Sequence, residues 1–389
     1  MELKDICQYI SEKVATTTLT KENYISTENM LPDKGGIVTA SGVPFGNSTA
    51  FSVGDVLVSN IRPYFKKIWQ ANRNGGCSAD VLCFRANSNV DNSYFYYLLS
   101  QQEFFDYIMS GAKGCKMPRG DKRQIMQWKV ELPPLDEQRH IASVLLSLDE
   151  KIELNRRING NLEQQAQTLF KAWFVENPNP QWLDGRLSDI ASFVGGYSYK
   201  GNELVDFSNI GMATIKNYER SGGFKTDGFK DINPSPKVKS TQYAELFDIL
   251  VAHTDLTQNA DVIGNAELLL SFDHYKHIIF SMDLVKVLPN KNFPYRFLLA
   301  AMLKNRIFKS HCLSYVNGTT VLHLSKKALP EYEITIPTDK EAKRMNDILG
   351  CYYKQMAEIL RENDILENLR NTILPKLMSG KLKINDLNR

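Results

Sequence analysis

A gapless internal repeat is the feature that most restricts how this chain of 389 residues can fold. When the sequence is shifted by 204 residues, residues 114–174 align with residues 318–378 without insertion or deletion, and ten positions are identical. Two shorter similarities lie upstream, one between LKDICQYI and LSDIASFV and the other between GDVLVSNIRP and FDILVAHTDL. The chain is therefore a tandem duplication in which each copy has a variable domain followed by a helix.

Each copy mixes strand and helix patterns. Short runs such as VLVSNI and DVLCF, bounded by Gly, Asn and Pro, are typical of half-buried strands. A helix-like stretch follows in both copies, YFYYLLSQQEFFDYIMS in the first and FPYRFLLAAMLKNRIFKS in the second. We therefore expect an α+β fold class, with two α+β domains separated by two long helices that form an antiparallel coiled coil. The expected boundaries are 1–135 and 185–337 for the two domains and 136–176 and 338–380 for the two long helices.

The two long helices carry apolar residues at steps of three and four, which is typical of a coiled-coil seam. A helix over 137–174 would be about 57 Å long at ~1.5 Å per residue, a length that suits a spacer. Asn159 and Asn363 occupy the same seam position, where a polar residue can fix the register. Alternatively both asparagines face water, because Gly160 weakens the helix there. The predicted seam residues are Ile141, Leu145, Leu148, Ile152, Asn159, Leu162, Leu169, Met345, Leu349, Met356, Asn363 and Leu366.

Composition and motifs argue against a membrane protein and against an enzyme. No stretch approaches the ~18 apolar residues of a membrane span, and the six dispersed cysteines are typical of reduced thiols in a cytoplasmic protein. The sequence contains neither a phosphate-binding loop nor a nucleophile elbow. His274 and His277 lack supporting cysteines or acids, so no metal site is expected. We expect a chain with no catalytic residues and no cofactor of its own.

The distribution of basic residues indicates that the chain binds nucleic acid. Residues 111–130 carry six Lys and Arg against one acid, and residues 301–327 carry five against none. A single basic run is usually a solvated face, but two in equivalent places, mixed with amides and hydroxyls, favour DNA binding. The segment NIRPYFKKIW is a further candidate, although it also fits an amphipathic strand and turn with aromatic core residues. The predicted DNA-binding residues are Arg62, Lys66, Lys113, Lys116, Arg119, Lys122, Arg123, Lys304, Asn317, Thr319, Thr320, His323 and Lys326.

The segment LPPLDEQRHIASVLLSLDEKIELNRRINGNLEQQAQTLFKAWF closely resembles the central conserved region of specificity subunits of type I restriction–modification systems. VGDVLVSNIRPYFKKIW and GRLSDIASF resemble elements of that family's target-recognition domains, and NLRNTILPKLMSGKL resembles its distal conserved region. The resemblance covers nearly the whole chain. The second long helix departs from the family pattern, because it begins with TDKEAKR where the first has LDEQRH.

This resemblance implies two target-recognition domains, each reading one half of a split, asymmetric site in double-stranded DNA. It also implies that the helices separate the domains and bind two methyltransferase subunits, which carry S-adenosylmethionine, and that motor–nuclease restriction subunits join the complex. Two other interpretations fit the residues. One is a coiled-coil adaptor whose basic domains bind RNA or protein, and the other is the detached recognition part of a fused methyltransferase enzyme.

Overall fold

The chain divides into two α+β units. The computed structural model describes residues 1–220, 222–257, 259–319 and 321–383. The first unit comprises residues 1–152 together with the described residues from Leu366 onward, and the second comprises residues 153–365. Each unit has its own apolar core, and two long helices contribute residues to both units. The expected fold class, α+β with a pair of long antiparallel helices, is confirmed.

The first unit contains two four-stranded sheets. Its strands are β1 (Cys7–Tyr9), β2 (Lys13–Ala15), β3 (Tyr24–Ile25), β4 (Asn47–Phe51), β5 (Val56–Ser59), β6 (Ile68–Gln70), β7 (Gly75–Cys77) and β8 (Val81–Ala86). The helices that follow are α1 (Asn92–Leu99), α2 (Gln102–Ser110), α3 (Lys122–Ile125) and the long helix α4 (Leu135–Lys171). One sheet is antiparallel with the order β1-β8-β5-β6, and the other has the order β2-β4-β7-β3 with β3 parallel to β7.

The second unit repeats this plan and adds small sheets. Its elements are β9 (Leu183–Arg186), α5 (Leu187–Ile190), β10 (Ala191–Gly195), β11 (Ile210–Ala213), β12 (Lys230–Asp231), β13 (Tyr243–Ala244), β14 (Ile249–Ala252), β15 (Thr254–Asp255), β16 (Ala266–Leu268), β17 (His277–Phe280), β18 (Leu284–Pro289), α6 (Arg296–Leu303), α7 (Arg306–Ser314), β19 (Val316–Asn317), β20 (Leu322–Leu324), β21 (Glu333–Ile336) and α8 (Asp339–Met378). Its antiparallel sheet β10-β18-β14-β16 has the same order as the first sheet of unit one. The remaining sheets are β12-β11-β17-β13, β15-β20-β19 and β21-β9.

The helix positions show that the internal repeat begins upstream of residue 114, where the gapless sequence alignment begins. Helices α6, α7 and α8 each begin 204 residues after α1, α2 and α4, respectively. Each stretch predicted as one helix is in fact two, and the break in the second unit lies at Asn305. The Asn305 side chain accepts a hydrogen bond from the backbone N–H of Phe308, so it starts a new helix.

Helices α4 and α8 run antiparallel, as two contacts within the second unit show. The side-chain amide of Asn155 donates to Asn363 Oδ1 at 2.8 Å and to Glu362 Oε2 at 2.7 Å. One turn further along α4, Asn159 Nδ2 donates to the backbone carbonyl of Met356 at 3.3 Å. Asn155 and Asn363 are 1% and 6% exposed, so a buried polar layer interrupts the apolar seam. Asn363 is thus inside the helix pair, and its partner is Asn155 rather than Asn159.

Most of the predicted seam residues are buried. Ile141 and Leu145 belong to the core of the first unit, where they join Ile373, Leu374 and Leu377 of α8. In the second unit Leu162, Met345, Leu349 and Met356 belong to one core. Leu148, Asn159 and Leu366 are half-buried, and Ile152 is buried.

Leu169 was also predicted as a seam residue. It is half-buried, whereas the neighbouring Phe170 is buried, stacks on Phe174 and belongs to the core of the second unit. From Leu162 the buried positions advance by steps of four, to Ala166 and Phe170, because this end of α4 packs against the sheet domain as well as against α8. A strict coiled-coil repeat therefore does not apply there.

Replacing Asn155 with alanine is expected to lower the free energy of unfolding by about 1–3 kcal/mol, because the buried Asn363 amide oxygen loses its donor from α4. The Asn155→Leu/Asn363→Leu double variant should be more stable than Asn155→Leu alone, since neither helix then buries a lone amide. Urea unfolding followed by far-ultraviolet circular dichroism measures both effects. Leu154→Ala, at a side chain that is 49% exposed, is the matched control. Equal stability of Asn155→Ala and the wild type would contradict the proposed polar layer.

Candidate nucleic-acid interface

In the first unit, a short two-stranded ribbon pairs with the loop that follows β5. Lys113 and Arg119 exchange two backbone hydrogen bonds of 2.9 Å, and Arg119 also forms a bridge with Ile61. The backbone N–H of Arg62 donates to the carbonyl of Pro118 at 2.8 Å. Gly114 opens the ribbon's turn at a φ of +101°, a conformation that favours glycine.

The second unit builds the same ribbon at the equivalent place. Asn317 on β19 pairs with His323 on β20, and His323 pairs in turn with Thr254 on β15. Gly318 has a φ of +112°, and a Cβ there would lie 2.2 Å from the carbonyl oxygen of Val321. Gly114 and Gly318 are one of the identical pairs of the internal repeat, and the structure explains both by the same tight turn.

Next to each ribbon, the backbone carbonyl of an aspartate accepts a hydrogen bond from the loop that pairs with the ribbon. The backbone N–H of Asn60 donates to the carbonyl of Asp80 at 2.8 Å, and in the second unit His253 donates to Asp283 in the same way at 2.7 Å. We define the first ribbon site as Asn60–Arg62, Asp80 and residues 113–119. The second ribbon site is His253–Asp255, Asp283 and residues 316–319 and 321–324.

The first ribbon site is strongly basic. It contains four cationic residues, Arg62, Lys113, Lys116 and Arg119, against the single acid Asp80. Arg119 Nη2 lies 3.1 Å from Asp80 Oδ1, and the two side chains are 53% and 42% exposed. Lys116 is also exposed. The site can therefore present several donors and positive charges to an anionic ligand.

The predicted residues next to this ribbon lie on its two flanks. Lys122 and Arg123 are exposed on α3, whose first turn is capped by Asp121, and Asp121 also lies 3.2 Å from the ammonium group of Lys113. On the other flank Lys66 is half-buried, with its Nζ 4.0 Å from Asp33.

Backbone strain marks the loop that carries Arg62 and Lys66. Both residues have a φ of +49°, in the left-handed region that residues other than glycine rarely adopt. They flank the single helical turn Pro63–Phe65, which leaves Tyr64 and Phe65 partly exposed. Such strain costs of order 1–3 kcal/mol per residue and is concentrated at functional sites.

The second ribbon site differs from the first in its charge. It contains no Lys or Arg, and Asp255, which corresponds to Arg62, is buried. Burial opposes ionisation of Asp255, but hydrogen bonds from the backbone N–H groups of Val262 and Thr257 outweigh it and lower the pKa of this carboxyl group. Asp255 therefore organises its own loop instead of facing a ligand.

The predicted ligand-facing residues of the second unit are exposed polar groups. Asn317, Thr319, His323 and Lys326 are all exposed, whereas Thr320 lies outside the described residues. Burial, together with the nearby His323 and Lys326, lowers the pKa of the His253 imidazole. The site therefore offers amide, hydroxyl and imidazole groups, and Lys326 lies at its edge.

Lys304 was wrongly predicted as a DNA-binding residue. Its side chain is 6% exposed and is held between two carboxylates, with Glu163 Oε2 at 3.1 Å and Glu267 in contact. Burial alone would lower the pKa of Lys304, but the charges of Glu267 and Glu163 outweigh it and raise that pKa. Lys304 is the residue that caps the end of α6, and it contacts Glu163 of α4, so its positive charge is neutralised inside the second unit. The basic run of residues 301–327 is therefore not one continuous surface.

The two aspartates of the ribbon sites were missed by sequence reasoning. Asp80 and Asp283 each precede a strand that begins with an alternating apolar run, DVLCF in one copy and DLVKV in the other. Aligning these two strands with each other would have shown an acid at the same position.

Among the described residues, no three His, Cys, Asp or Glu side chains are arranged so that they could hold a metal ion. Within the same part of the chain, none of the helices combines the length and the apolar character needed to cross a membrane.

The chain is similar to proteins of restriction–modification systems. Residues 1–164 match the family model described as the type I restriction modification DNA specificity domain. The chain is 22% identical over 316 residues to the type I restriction enzyme MjaIX specificity subunit of Methanocaldococcus jannaschii, covering 77% of this chain and 71% of that protein. It is 29% identical over 254 residues to the HindI specificity subunit of Haemophilus influenzae, covering 63% and 54% of the two chains.

The fold is similar to a crystal structure of the type I restriction–modification system S subunit from M. genitalium. The TM-score is 0.56 at 17% sequence identity, and the match covers 97% of this chain and 95% of that one.

Lys304→Met is expected to lower the free energy of unfolding by about 3–5 kcal/mol, because it leaves the buried carboxylate of Glu267 and the half-buried carboxylate of Glu163 without their counter-ion. Lys326→Met removes an exposed lysine and should change stability by less than about 0.5 kcal/mol. Urea denaturation of the full chain, with circular dichroism as the signal, compares the two variants. A Lys304→Met protein as stable as the wild type would show that the buried ion cluster is not what holds this lysine.

Proposed function

This chain belongs to the family of type I restriction enzyme specificity subunits, and we propose that it reads a split, asymmetric DNA site through its two ribbon sites. One observation carries the proposal: the same backbone ribbon occurs in both units, but its side chains differ in charge and in hydrogen-bonding groups. Such a pair of sites suits two half-sites of different sequence.

The chemistry of each site supports a role in base and phosphate recognition. Lysine and arginine neutralise phosphates and hold the register, while arginine, amide and imidazole groups bind base edges in the groove. The first ribbon site offers Arg119 and Lys116 for these two tasks. The second ribbon site offers Asn317 and His323 for base edges, and Lys326 for the backbone.

The long helices support the spacing and assembly parts of the proposal. Helix α4 has 37 residues and α8 has 40, lengths far beyond an ordinary domain helix. We propose that the pair keeps a constant distance between the half-sites and binds two methyltransferase subunits, with restriction subunits completing the complex. In this proposal the chain itself is non-catalytic, the partner subunits bind S-adenosylmethionine, and the complex acts on double-stranded DNA in the cytoplasm.

We expect the complex to methylate one motif made of two unlike half-sites separated by an unread gap. The two ribbon sites share a backbone but not side chains, and half-site spacing follows protein geometry in duplex readers. Methylation-sensitive sequencing of cells with and without this gene tests the expectation. A continuous motif or a palindrome would contradict it.

A second test uses the salt dependence of DNA binding. Lys116→Ala should weaken binding of all duplexes alike and reduce the slope of log K against log salt by about 0.9, because one phosphate contact is lost. Lys376→Ala, an exposed lysine near the end of α8, is the control and should leave the slope unchanged. The measurement is fluorescence anisotropy of the full chain with its methyltransferase subunits over a series of salt concentrations. An unchanged slope for Lys116→Ala would remove Lys116 from the interface.

A further inference from the structure

We propose that Arg119, oriented by Asp80, recognises a guanine·cytosine pair in the half-site bound by the first ribbon site, an inference that rests on the proposed function. The observation behind it is an ion pair at the surface of a ribbon whose backbone is held on both sides. Within residues 113–119, Arg119 is the one residue that carries a guanidinium group.

The position of Arg119 is set by its backbone. Its N–H and carbonyl both bond to Lys113, and it bridges to Ile61 on the opposite edge, so it is the central residue of a three-stranded arrangement. Asp80 is held as well, because its carbonyl accepts the N–H of Asn60 at 2.8 Å. The backbone positions of both residues are therefore fixed, which limits the side-chain conformations in which the ion pair can form.

The ion pair itself is better suited to orientation than to stability. Arg119 Nη2 and Asp80 Oδ1 are 3.1 Å apart, and about half of each side chain is exposed. Exposed pairs of this kind contribute little to folding. The contact does, however, restrict the rotation of the guanidinium group and leaves an edge of it open to solvent.

The free donors of Arg119 match guanine. A guanidinium group has five N–H donors, and one contact to Asp80 leaves enough for a bidentate pair with O6 and N7 of guanine in the major groove. An aspartate oxygen can accept a hydrogen bond from N4 of the paired cytosine. Adenine and thymine do not present this combination of acceptors and donor, so the pair of residues selects guanine·cytosine.

The second ribbon site provides an internal comparison. His323 stands where Arg119 stands, and the carboxylate of Asp283 accepts hydrogen bonds from Thr254 Oγ1 at 2.8 Å and from Ser281 Oγ at 3.2 Å. The same aspartate thus serves local hydroxyl groups where no arginine is present. An arginine–aspartate pair that recognises guanine is therefore expected at the first ribbon site and not at the second.

The experiment uses the full chain with its methyltransferase subunits and the motif found by sequencing. Each guanine of the motif, on either strand, is replaced in turn by 7-deazaguanine, which lacks the N7 acceptor, and affinities are measured by anisotropy. One replacement should weaken wild-type binding about tenfold, the size expected for part of a bidentate contact. Arg119→Ala, which has no side-chain donor, should bind the natural and the replaced duplex equally, while His323→Ala should keep the tenfold difference.

Asp80→Asn tests the positioning role. It should reduce the tenfold difference without abolishing it, whereas a purely structural defect would weaken both duplexes by the same factor. If the complex binds its motif but no 7-deazaguanine has an effect that Arg119→Ala removes, the inference is wrong and the proposed function stands. If the complex binds its motif no better than scrambled DNA, the proposed function itself fails.

Discussion

A hydrogen bond between two buried asparagine amides sets the register of the long helices. Asn155 and Asn363 pair inside an otherwise apolar seam. A slip of α8 by seven residues would place Met356 or Arg370 opposite Asn155 and leave a buried amide without its partner, which costs about 1–3 kcal/mol. The layer lowers stability relative to an apolar seam but disfavours every alternative register.

The second unit depends on that register, because polar side chains of α8 bind the surrounding domain. Asn346 Oδ1 accepts the backbone N–H of Phe297 at the start of α6 at 2.9 Å, and Glu341 accepts the indole N–H of Trp182 at 2.8 Å. Side-chain hydrogen bonds from Thr338, Asn179 and Trp182 lower the pKa of Glu341 to about 2. If α8 slipped along α4, these acceptors would move away from their donors. The helix pair and the sheet domain are therefore positioned by one set of contacts.

The two ribbon sites share their backbone structure but differ in the side chains that face outward. Backbone hydrogen bonds and the glycines Gly114 and Gly318 define the ribbon, and these features do not depend on the side chains that face outward. Arg119 in one unit and His323 in the other can therefore differ freely. Under the proposed function, duplication of such a scaffold followed by exchange of exposed side chains gives two sites of different specificity without altering the fold.

The repeat, the long helices and the ribbon glycines were predictable from the sequence, because periodicity and self-similarity are properties of neighbouring residues and of one copy compared with the other. Burial depends instead on what the rest of the chain brings to a position. Nothing near Lys304 in sequence indicated Glu163 and Glu267, and nothing near Arg119 indicated Asp80, because those partners arrive through strand pairing and helix packing. The sequence by itself thus determined the duplicated architecture and the location of the two candidate reading loops. Only the tertiary structure decided which charges face outward. Lys304 is unavailable to a ligand because folding buries it between two carboxylates, whereas the ion pair of Arg119 and Asp80 forms at the surface and leaves both side chains about half exposed.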